Sequence, residues 1–120
     1  MILNKKKLLK IIIECLLNKK AVEINLIDVK KLTSLTDTFI ICSSESEPQT
    51  KAIMNHVLDT LNENSIKPLH IEGQENLKWV LIDYANIVIN IFDKETREFY
   101  SIERLWGDAK VEKIKESYEA

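Results

Sequence analysis

The chain has 120 residues, of which 45% are hydrophobic and 30% charged, and its formal net charge is −2. This length fits one compact domain and excludes a second domain of ordinary size. Because there are only two Gly and two Pro, we expect mostly regular elements joined by short connections. The predicted organisation is a single domain over residues 1–107, followed by a polar and loose C-terminal tail over residues 108–120.

The charge is distributed unevenly along the chain. Residues 1–31 contain eight Lys and three acids, a balance of +5, which leaves −7 for the remainder. A whole-protein field that attracts DNA or RNA is therefore excluded, and we expect no sequence-specific nucleic-acid binding. An acidic C-terminal two-thirds suits a basic partner.

The sequence has no clear targeting signal and no cysteine motif typical of redox or zinc sites. The apolar run near the N-terminus is interrupted by Lys10 and Glu14, and no small-residue cleavage site follows it. No segment reaches the ~20 apolar residues of a membrane span, so we expect a cytoplasmic protein. Cys15 and Cys42 lie in apolar runs without the spacing of a redox or zinc motif, which predicts two reduced core residues.

The first predicted element is a helix from a capping Asn4 to about Lys20. Only a narrow stripe of this helix is polar, at Lys10, Glu14 and Asn18. Such an apolar helix must be covered on more than one side. Packing against the sheet and a second helix is one interpretation, and a dimer contact is the other.

Two strands and a second helix follow. Glu23–Val29 alternates apolar and polar residues, and Thr38–Cys42 is a continuous apolar run, typical of a strand buried on both faces. Ser46 and Gln49 have the spacing of a capping box, which predicts a helix from there to about Asn64.

Residues 66–106 are predicted to form three strands and a short helix. Ile66–Glu72 contains Pro68, which places this strand at an edge or delays its start. Trp79–Asp83 and Ile87–Phe92 have the separation of a hairpin, and Arg97–Trp106 follows as a short helix. The order of elements predicts an α/β domain with a mixed sheet of about five strands flanked by helices.

Most catalytic classes are excluded by missing residues. Phosphate-cradling loops need several glycines, and only Gly73 and Gly107 are present. Neither His56 nor His70 has a second His or Cys at i+3 or i+4, so we expect neither a metal site nor a cofactor. A Cys42 nucleophile with His70 as its base is weaker than the core interpretation, because a thiol in an Ile-rich strand is usually inert.

A nucleotidyl-transfer site remains as an enzyme alternative. Ser43-Ser44 follows the second strand, but the pair of acids one residue apart that holds Mg²⁺ is missing. The alternative therefore requires Asp28, Asp37 and Asp83 to converge beside the two serines.

Aromatic and acidic residues collect between Glu72 and Asp108. This stretch has eight acids against four Lys or Arg, and it contains six of the eight aromatic residues. Trp and Tyr anchors ringed by charge are typical of protein interfaces. The alternative is that the rings build the core under the last helix. We favour the core for Phe92 and Phe99, while both interpretations stay open for Trp79, Tyr84, Tyr100 and Trp106.

Four ordered segments resemble the Iojap-type ribosomal silencing factor family. They are Leu35–Cys42 (LTDTFIIC), Glu72-Gly73, Trp79–Tyr84 (WVLIDY) and Arg97–Trp106 (REFYSIERLW). They follow in the order and with the spacing expected of the family, and the resemblance as a whole covers nearly the whole chain. The resemblance implies a nucleotidyltransferase-like α/β fold without catalytic groups, and hence a binding protein and not an enzyme.

The resemblance also implies a function. Members bind the large ribosomal subunit through ribosomal protein fourteen, obstruct joining of the small subunit and so repress translation when nutrients are short. Isolated members can be homodimers. Positions that match family motifs give the predicted partner-binding residues, with apolar anchors and acids for Lys or Arg of the partner: Trp79, Asp83, Tyr84, Tyr100, Leu105, Trp106, Glu72 and Asp37.

The chain departs from the family at three positions. Ala85-Asn86 stands where members commonly have Gly-Asp, and Asn90 stands where they often have His. Roles that depend on that His or on a glycine turn are not carried over. A third hypothesis, an RNA-binding module that uses the Lys-rich first helix, is kept beside the silencing factor and the enzyme.

Overall fold

The computed structural model describes residues 4–100, 104, 107 and 109–115. Within these residues the elements follow in the order α1 (Lys5–Asn18), β1 (Val22–Asp28), β2 (Thr38–Ser44), α2 (Glu47–Glu63), β3 (His70–Glu72), β4 (Trp79–Asp83), β5 (Ile87–Asp93), α3 (Lys94–Tyr100) and β6 (Lys110–Ile114). None of the helices described has the length and apolar character needed to cross a membrane.

All six strands join one sheet in the order β3-β4-β5-β2-β1-β6. β2 and β5 run parallel, and every other neighbouring pair is antiparallel. The predicted mixed α/β sheet is therefore confirmed, with one strand more than expected. The continuous apolar run in β2 was predicted to form a strand buried on both faces. β2 lies in the middle of the sheet and is buried over most of its length, as predicted.

The additional strand is β6, which pairs with β1 from Ile24↔Ile114 to Asp28↔Lys110. The expectation of a loose tail after Gly107 is wrong for these residues. The sequence of β6 is largely polar because four of its five residues are exposed, and only Ile114 enters the core. Pairing to a neighbouring strand, and not its own hydrophobicity, holds β6 in place.

Two element boundaries differ from the prediction. β3 has three residues and begins at His70, after Pro68, so both effects expected of that proline occur: a late start and an edge position. α3 begins at Lys94, three residues before the predicted Arg97, because Asp93 caps it. The Asp93 Oδ1 accepts a hydrogen bond from the Thr96 backbone N–H at 2.7 Å. Burial acts to raise the pKa of Asp93, but the hydrogen bonds from Thr96 and the positive charge of Lys78 together lower that pKa.

Both long helices begin as the sequence predicts. The Asn4 side chain accepts from the Lys7 N–H, and the Ser46 side chain accepts from the Gln49 N–H. The Gln49 Oε1 in turn accepts from the Glu45 N–H at 2.7 Å, one residue before the expected position. Its Nε2 donates to the carbonyls of Lys19 and Lys20, which ties the start of α2 to the end of α1.

α1 is covered by the sheet and α2, as the first of the two interpretations expects. Its buried residues are Leu9, Ile12, Ile13, Cys15 and Leu16, while Lys10, Glu14 and Asn18 are exposed. The main core lies between the two helices and one face of the sheet. A dimer contact through α1 is not needed to bury this face.

Both cysteines are free and buried in the core, as predicted. Burial raises the pKa of the Cys42 thiol to about 12, and burial also raises the pKa of Cys15. His70 lies on the edge strand β3, three strands from β2, so it does not contact Cys42.

The turn between β4 and β5 holds Ala85 at a φ of 73°. L-residues pay roughly 1–2 kcal/mol in this left-handed region, whereas Gly enters it freely. We expect Ala85→Gly to raise the free energy of unfolding by about 0.5–1 kcal/mol, which urea denaturation measures. Ala52→Gly, in the exposed part of α2, is the matched control and should lower stability by about 1 kcal/mol. A loss of stability in Ala85→Gly contradicts the expectation.

Candidate functional site

The sheet face that points away from α1 and α2 carries a second, smaller apolar cluster. Its buried members are Ile27, Val29, Ile41 and Phe92, and Phe39, Trp79 and Ala109 pack against them while staying partly exposed. Since side chains alternate along a strand, Trp79, Leu81 and Asp83 of β4 all point to this face. The paired residues of β3, Glu72 opposite Leu81 and His70 opposite Asp83, point the same way.

Trp79 is fixed by contacts on two sides. Its ring stacks on Phe92, with 4.8 Å between ring centroids and 26° between planes. Its Nε1 donates a hydrogen bond to the Asn90 Oδ1 at 3.0 Å, and the Asn90 Nδ2 reaches the Ile40 carbonyl at 3.5 Å. Asn90 is buried at 3% exposure. The tryptophan thus presents one partly exposed surface in a fixed orientation.

Asn90 is therefore expected to set the orientation of the Trp79 indole. Asn90→Leu leaves the indole N–H and the Ile40 carbonyl without this partner, which should cost about 1–2 kcal/mol. In ¹H–¹⁵N spectra the Trp79 indole signal, assigned with Trp79→Phe, should shift and its hydrogen exchange should accelerate. Asn62→Leu on the exposed side of α2 is the control. An unchanged indole signal in Asn90→Leu contradicts this role.

A groove of about 680 Å³ runs beside Trp79 and is defined here as the Trp79 groove. It is lined by Glu72, Gly73, Asn76, Lys78, Trp79, Leu81, Glu95 and Thr96. β3, the β3–β4 loop, β4 and the first turn of α3 all contribute. Of the predicted site residues, Glu72 and Trp79 meet here. Lys78, Leu81, Glu95 and Thr96 were missed. Lys78 and Leu81 lie next to or on β4, whereas Glu95 and Thr96 join them only because α3, which packs against β5, lines the same groove.

The wall of the groove needs a glycine at position 73. Gly73 has a φ of 83°, and a Cβ there would lie 1.9 Å from the Trp79 carbonyl oxygen. The Gly73 carbonyl accepts from the Leu77 N–H at 3.1 Å, which closes the β3–β4 loop. The backbones of Gly73 and Trp79 can therefore touch only because no side chain separates them.

Acids dominate the surroundings of the groove. Residues 72–98 contain six acids and three Lys or Arg. One of those cations, Arg97, is buried at 6% exposure and so contributes little to the surface. The side chain of Glu72 is 67% exposed and lies 3.0 Å from the His70 Nε2. A partly exposed tryptophan beside exposed carboxylates is a suitable surface for a basic protein.

The other predicted acids lie outside the groove. Asp83 shares the face of Trp79, but its Oδ1 accepts from the Ala85 N–H at 2.7 Å and so caps the β4–β5 turn. Asp37 precedes β2 at the opposite end of the sheet, where its carboxylate lies 3.8 Å from the Lys5 ammonium. The structure therefore does not bring Asp37 together with Glu72 and Trp79.

Tyr84 belongs to the main core, with 7% of its surface exposed. Its predicted partner-binding role is corrected, because a residue buried under α1 and α2 cannot reach a partner while the fold is intact. Burial raises the pKa of Tyr84 to about 12. Tyr100, Leu105 and Trp106 were also predicted to bind the partner. The side chain of Tyr100 and both other residues lie outside the described part of the chain.

Arg97 anchors α3 to the sheet. Its Nη1 donates to the Glu23 carbonyl at 2.6 Å and to the Ser43 Oγ at 2.9 Å. When the Asn25 amide is oriented with its oxygen toward the guanidinium, it accepts from Nη2 at 3.0 Å. A bulge in β1, where Glu23 has a φ of 51°, accompanies this contact. One side chain thus joins α3, β1 and β2.

Replacing Arg97 tests this anchor. Arg97→Lys keeps the charge but loses the fork of donors that reaches three acceptors, so we expect a loss of about 2 kcal/mol in the free energy of unfolding. Denaturation in urea measures it. The same substitution at the exposed Arg104 should change stability by less than about 0.5 kcal/mol. Equal effects at the two positions count against a specific anchor.

The arrangement required by the nucleotidyl-transfer alternative is not present. Asp28 pairs with Thr38 at the start of β2, and Asp83 pairs with Val88 near the same end, whereas Ser43 and Ser44 lie at the other end of β2. Five residues of strand separate the two ends, or about 17 Å. Among the residues that the structure describes, no group of three or more His, Cys, Asp or Glu could hold a metal ion.

Comparisons with known proteins agree with the motifs. Residues 3–120 match the family described as "Ribosomal silencing factor during starvation", RsfS. The ribosomal silencing factor of Bacillus subtilis is 36% identical over 107 residues, which are 89% of this chain and 91% of that protein. A crystal structure from Chromobacterium violaceum superposes with a TM-score of 0.84 at 34% identity, covering 88% of each chain.

A more distant relative is a mouse protein named for mitochondrial assembly of the large ribosomal subunit. It is 30% identical over 98 residues, which are 79% of this chain and 43% of that protein. The family match extends over almost the entire sequence and includes the strands that form the Trp79 groove. The chain belongs to the RsfS family of ribosomal silencing factors.

Proposed function

We propose that this protein binds the large ribosomal subunit through ribosomal protein fourteen and sterically blocks joining of the small subunit. The Trp79 groove is the docking site, and translation falls when nutrients are limited because bound subunits cannot pair. No chemical step is involved, and the protein acts in the cytoplasm. The observation that carries the proposal is a fixed, partly exposed tryptophan in a groove bordered by carboxylates.

The chemistry of the groove fits a basic protein partner. Trp79 and Leu81 supply apolar area, while Glu72 and Glu95 supply negative charge. Fixed aromatic anchors lose little conformational entropy on binding, and exposed acids guide a basic partner to them. Tyr100 is the last residue of α3, and Leu105 and Trp106 follow α3 in the chain. We propose that these three residues extend the same docking surface.

The names of the relatives support the ribosome as the target. The family is described by ribosomal silencing during starvation, and the mouse relative by assembly of the large ribosomal subunit. Neither name specifies ribosomal protein fourteen, which comes from the resemblance of the motifs.

Co-sedimentation with purified large subunits tests the binding part. The full chain should pellet with large subunits and should remain in the supernatant with small subunits. Purified ribosomal protein fourteen should compete for the chain and release it. If the chain binds neither subunit, the proposed target is wrong. If it binds large subunits but free ribosomal protein fourteen does not displace it, the proposed contact is wrong.

A further inference from the structure

A second charged surface lies at the opposite corner of the sheet. Two adjoining depressions of about 480 and 290 Å³ share Asp28 and Lys110 in their linings. Lys5 borders the first and Lys31 the second, so three lysines surround one aspartate. This surface is defined here as the lysine groove. α1, the β1–β2 loop and β6 meet there, three segments that are distant in the sequence.

The local charge is positive. Lys6, Lys7 and Lys30 are exposed beside the residues that line the groove. Counted over the residues that the structure describes, the corner then has six lysines against three acids, Asp28, Asp37 and Glu112. The lysines of the first turn of α1 are unfavourable for the helix, because the helix dipole is positive at that end. Their position therefore does not serve helix stability.

The lysine groove is distinct from the Trp79 groove. Three strand spacings separate β1 from β4, and the register places Asp28 and Trp79 at opposite ends of the sheet. At about 4.8 Å per strand and 3.3 Å per residue, the two surfaces are roughly 20 Å apart. One molecule can therefore contact a basic partner with one corner and an anionic partner with the other.

We propose that the lysine groove binds the phosphate backbone of RNA. This inference rests on the proposed function in one respect, since a protein bound to a ribosomal protein lies beside ribosomal RNA. Among the described residues that line the groove there are lysines and no aromatic ring on which a base could stack. Recognition is therefore of backbone charge and not of sequence, and it is strongly dependent on salt.

Fluorescence anisotropy of the full chain with a labelled RNA duplex tests the proposal without ribosomes. We expect a dissociation constant of roughly 10⁻⁴–10⁻⁶ M that rises steeply between 50 and 200 mM KCl. The triple variant Lys30→Gln, Lys31→Gln, Lys110→Gln should bind at least about tenfold more weakly at low salt. Its slope of log affinity against log salt should be smaller by about 2, because each lost phosphate contact removes about 0.7–0.9.

The matched control is Lys19→Gln, Lys51→Gln, Lys67→Gln, which removes the same charge at exposed positions away from this corner. It should change RNA affinity by less than about threefold, with an unchanged salt slope. Absence of salt-dependent RNA binding, or equal losses in the two triple variants, overturns the proposal. A further outcome is that the wild type binds no RNA while the lysine-groove variant no longer binds large subunits. The lysine groove then binds a protein, and the proposal is again wrong.

Failure of this proposal and failure of the proposed function are distinguishable. A Glu72→Lys, Glu95→Lys variant alters only the Trp79 groove and should keep RNA binding. RNA binding that depends on the lysine groove can thus stand even when no large-subunit binding is found, and the reverse also holds.

Discussion

Gly73→Ala is expected to lower the free energy of unfolding by about 3 kcal/mol or more. Two effects add. An Ala at a φ of 83° pays the steric penalty of the left-handed region, roughly 1–2 kcal/mol. Its Cβ would also lie 1.9 Å from the Trp79 carbonyl oxygen, which belongs to backbone and cannot rotate away. The β3–β4 loop must therefore move from the start of β4. Equilibrium denaturation in urea measures the loss.

Gly107→Ala is the matched control. The nearest atom to a Cβ at position 107 is the Arg104 carbonyl oxygen at 3.7 Å, which is ordinary contact. Its effect should stay within about 0.5 kcal/mol. Because Gly73 lines the Trp79 groove, Gly73→Ala should also weaken binding of large subunits, even under conditions where the variant is folded. Equal stability of the two variants contradicts the close approach of Gly73 to Trp79.

The double reversal Glu72→Lys, Glu95→Lys should reduce affinity for the large subunit by about 100-fold. Both residues line the Trp79 groove, and both are exposed, so the fold has little reason to depend on them. Two charges change sign, a net change of four units, at a surface proposed to meet a basic protein. Like charges then oppose docking, and association should slow most at low salt. Binding is measured by sedimentation with labelled protein.

Asp59→Lys, Glu63→Lys makes the same change in net charge on the exposed side of α2. This control should bind large subunits within about threefold of the wild type, because these residues lie on the other side of the sheet. A similar loss in both variants indicates that only net charge matters, and then the Trp79 groove is not the docking site.

The local elements of the fold were predictable because their causes are local. Ser46 and Gln49 mark the start of α2: Ser46 makes the expected capping contact, and the Gln49 side chain bonds one residue earlier than expected. Thr38–Cys42 is apolar without interruption, and it forms the strand flanked on both sides by others. β6 was missed since its stability comes from pairing with β1, which hydrophobicity alone does not reveal.

The candidate site was predictable only in part. Trp79 and Glu72 were found because they stand in motifs, and the structure brings them to one groove. Glu95 and Asn90 carry no signal of their own: one reaches the groove through the packing of α3, and the other orients Trp79 from a neighbouring strand. Tyr84 belongs to a recognisable motif and yet serves the core. A motif identifies positions that matter without showing which of them face a partner.

In the proposed mechanism, docking through the Trp79 groove prevents the two ribosomal subunits from joining. Light scattering of mixed large and small subunits measures this directly, with the chain added to the large subunits first. The wild type and the Asp59→Lys, Glu63→Lys control should reduce joining in proportion to the large subunits bound, and the Glu72→Lys, Glu95→Lys variant should leave it unchanged. If large subunits saturated with the wild-type protein still join small subunits as well as free large subunits do, the proposed mechanism is contradicted.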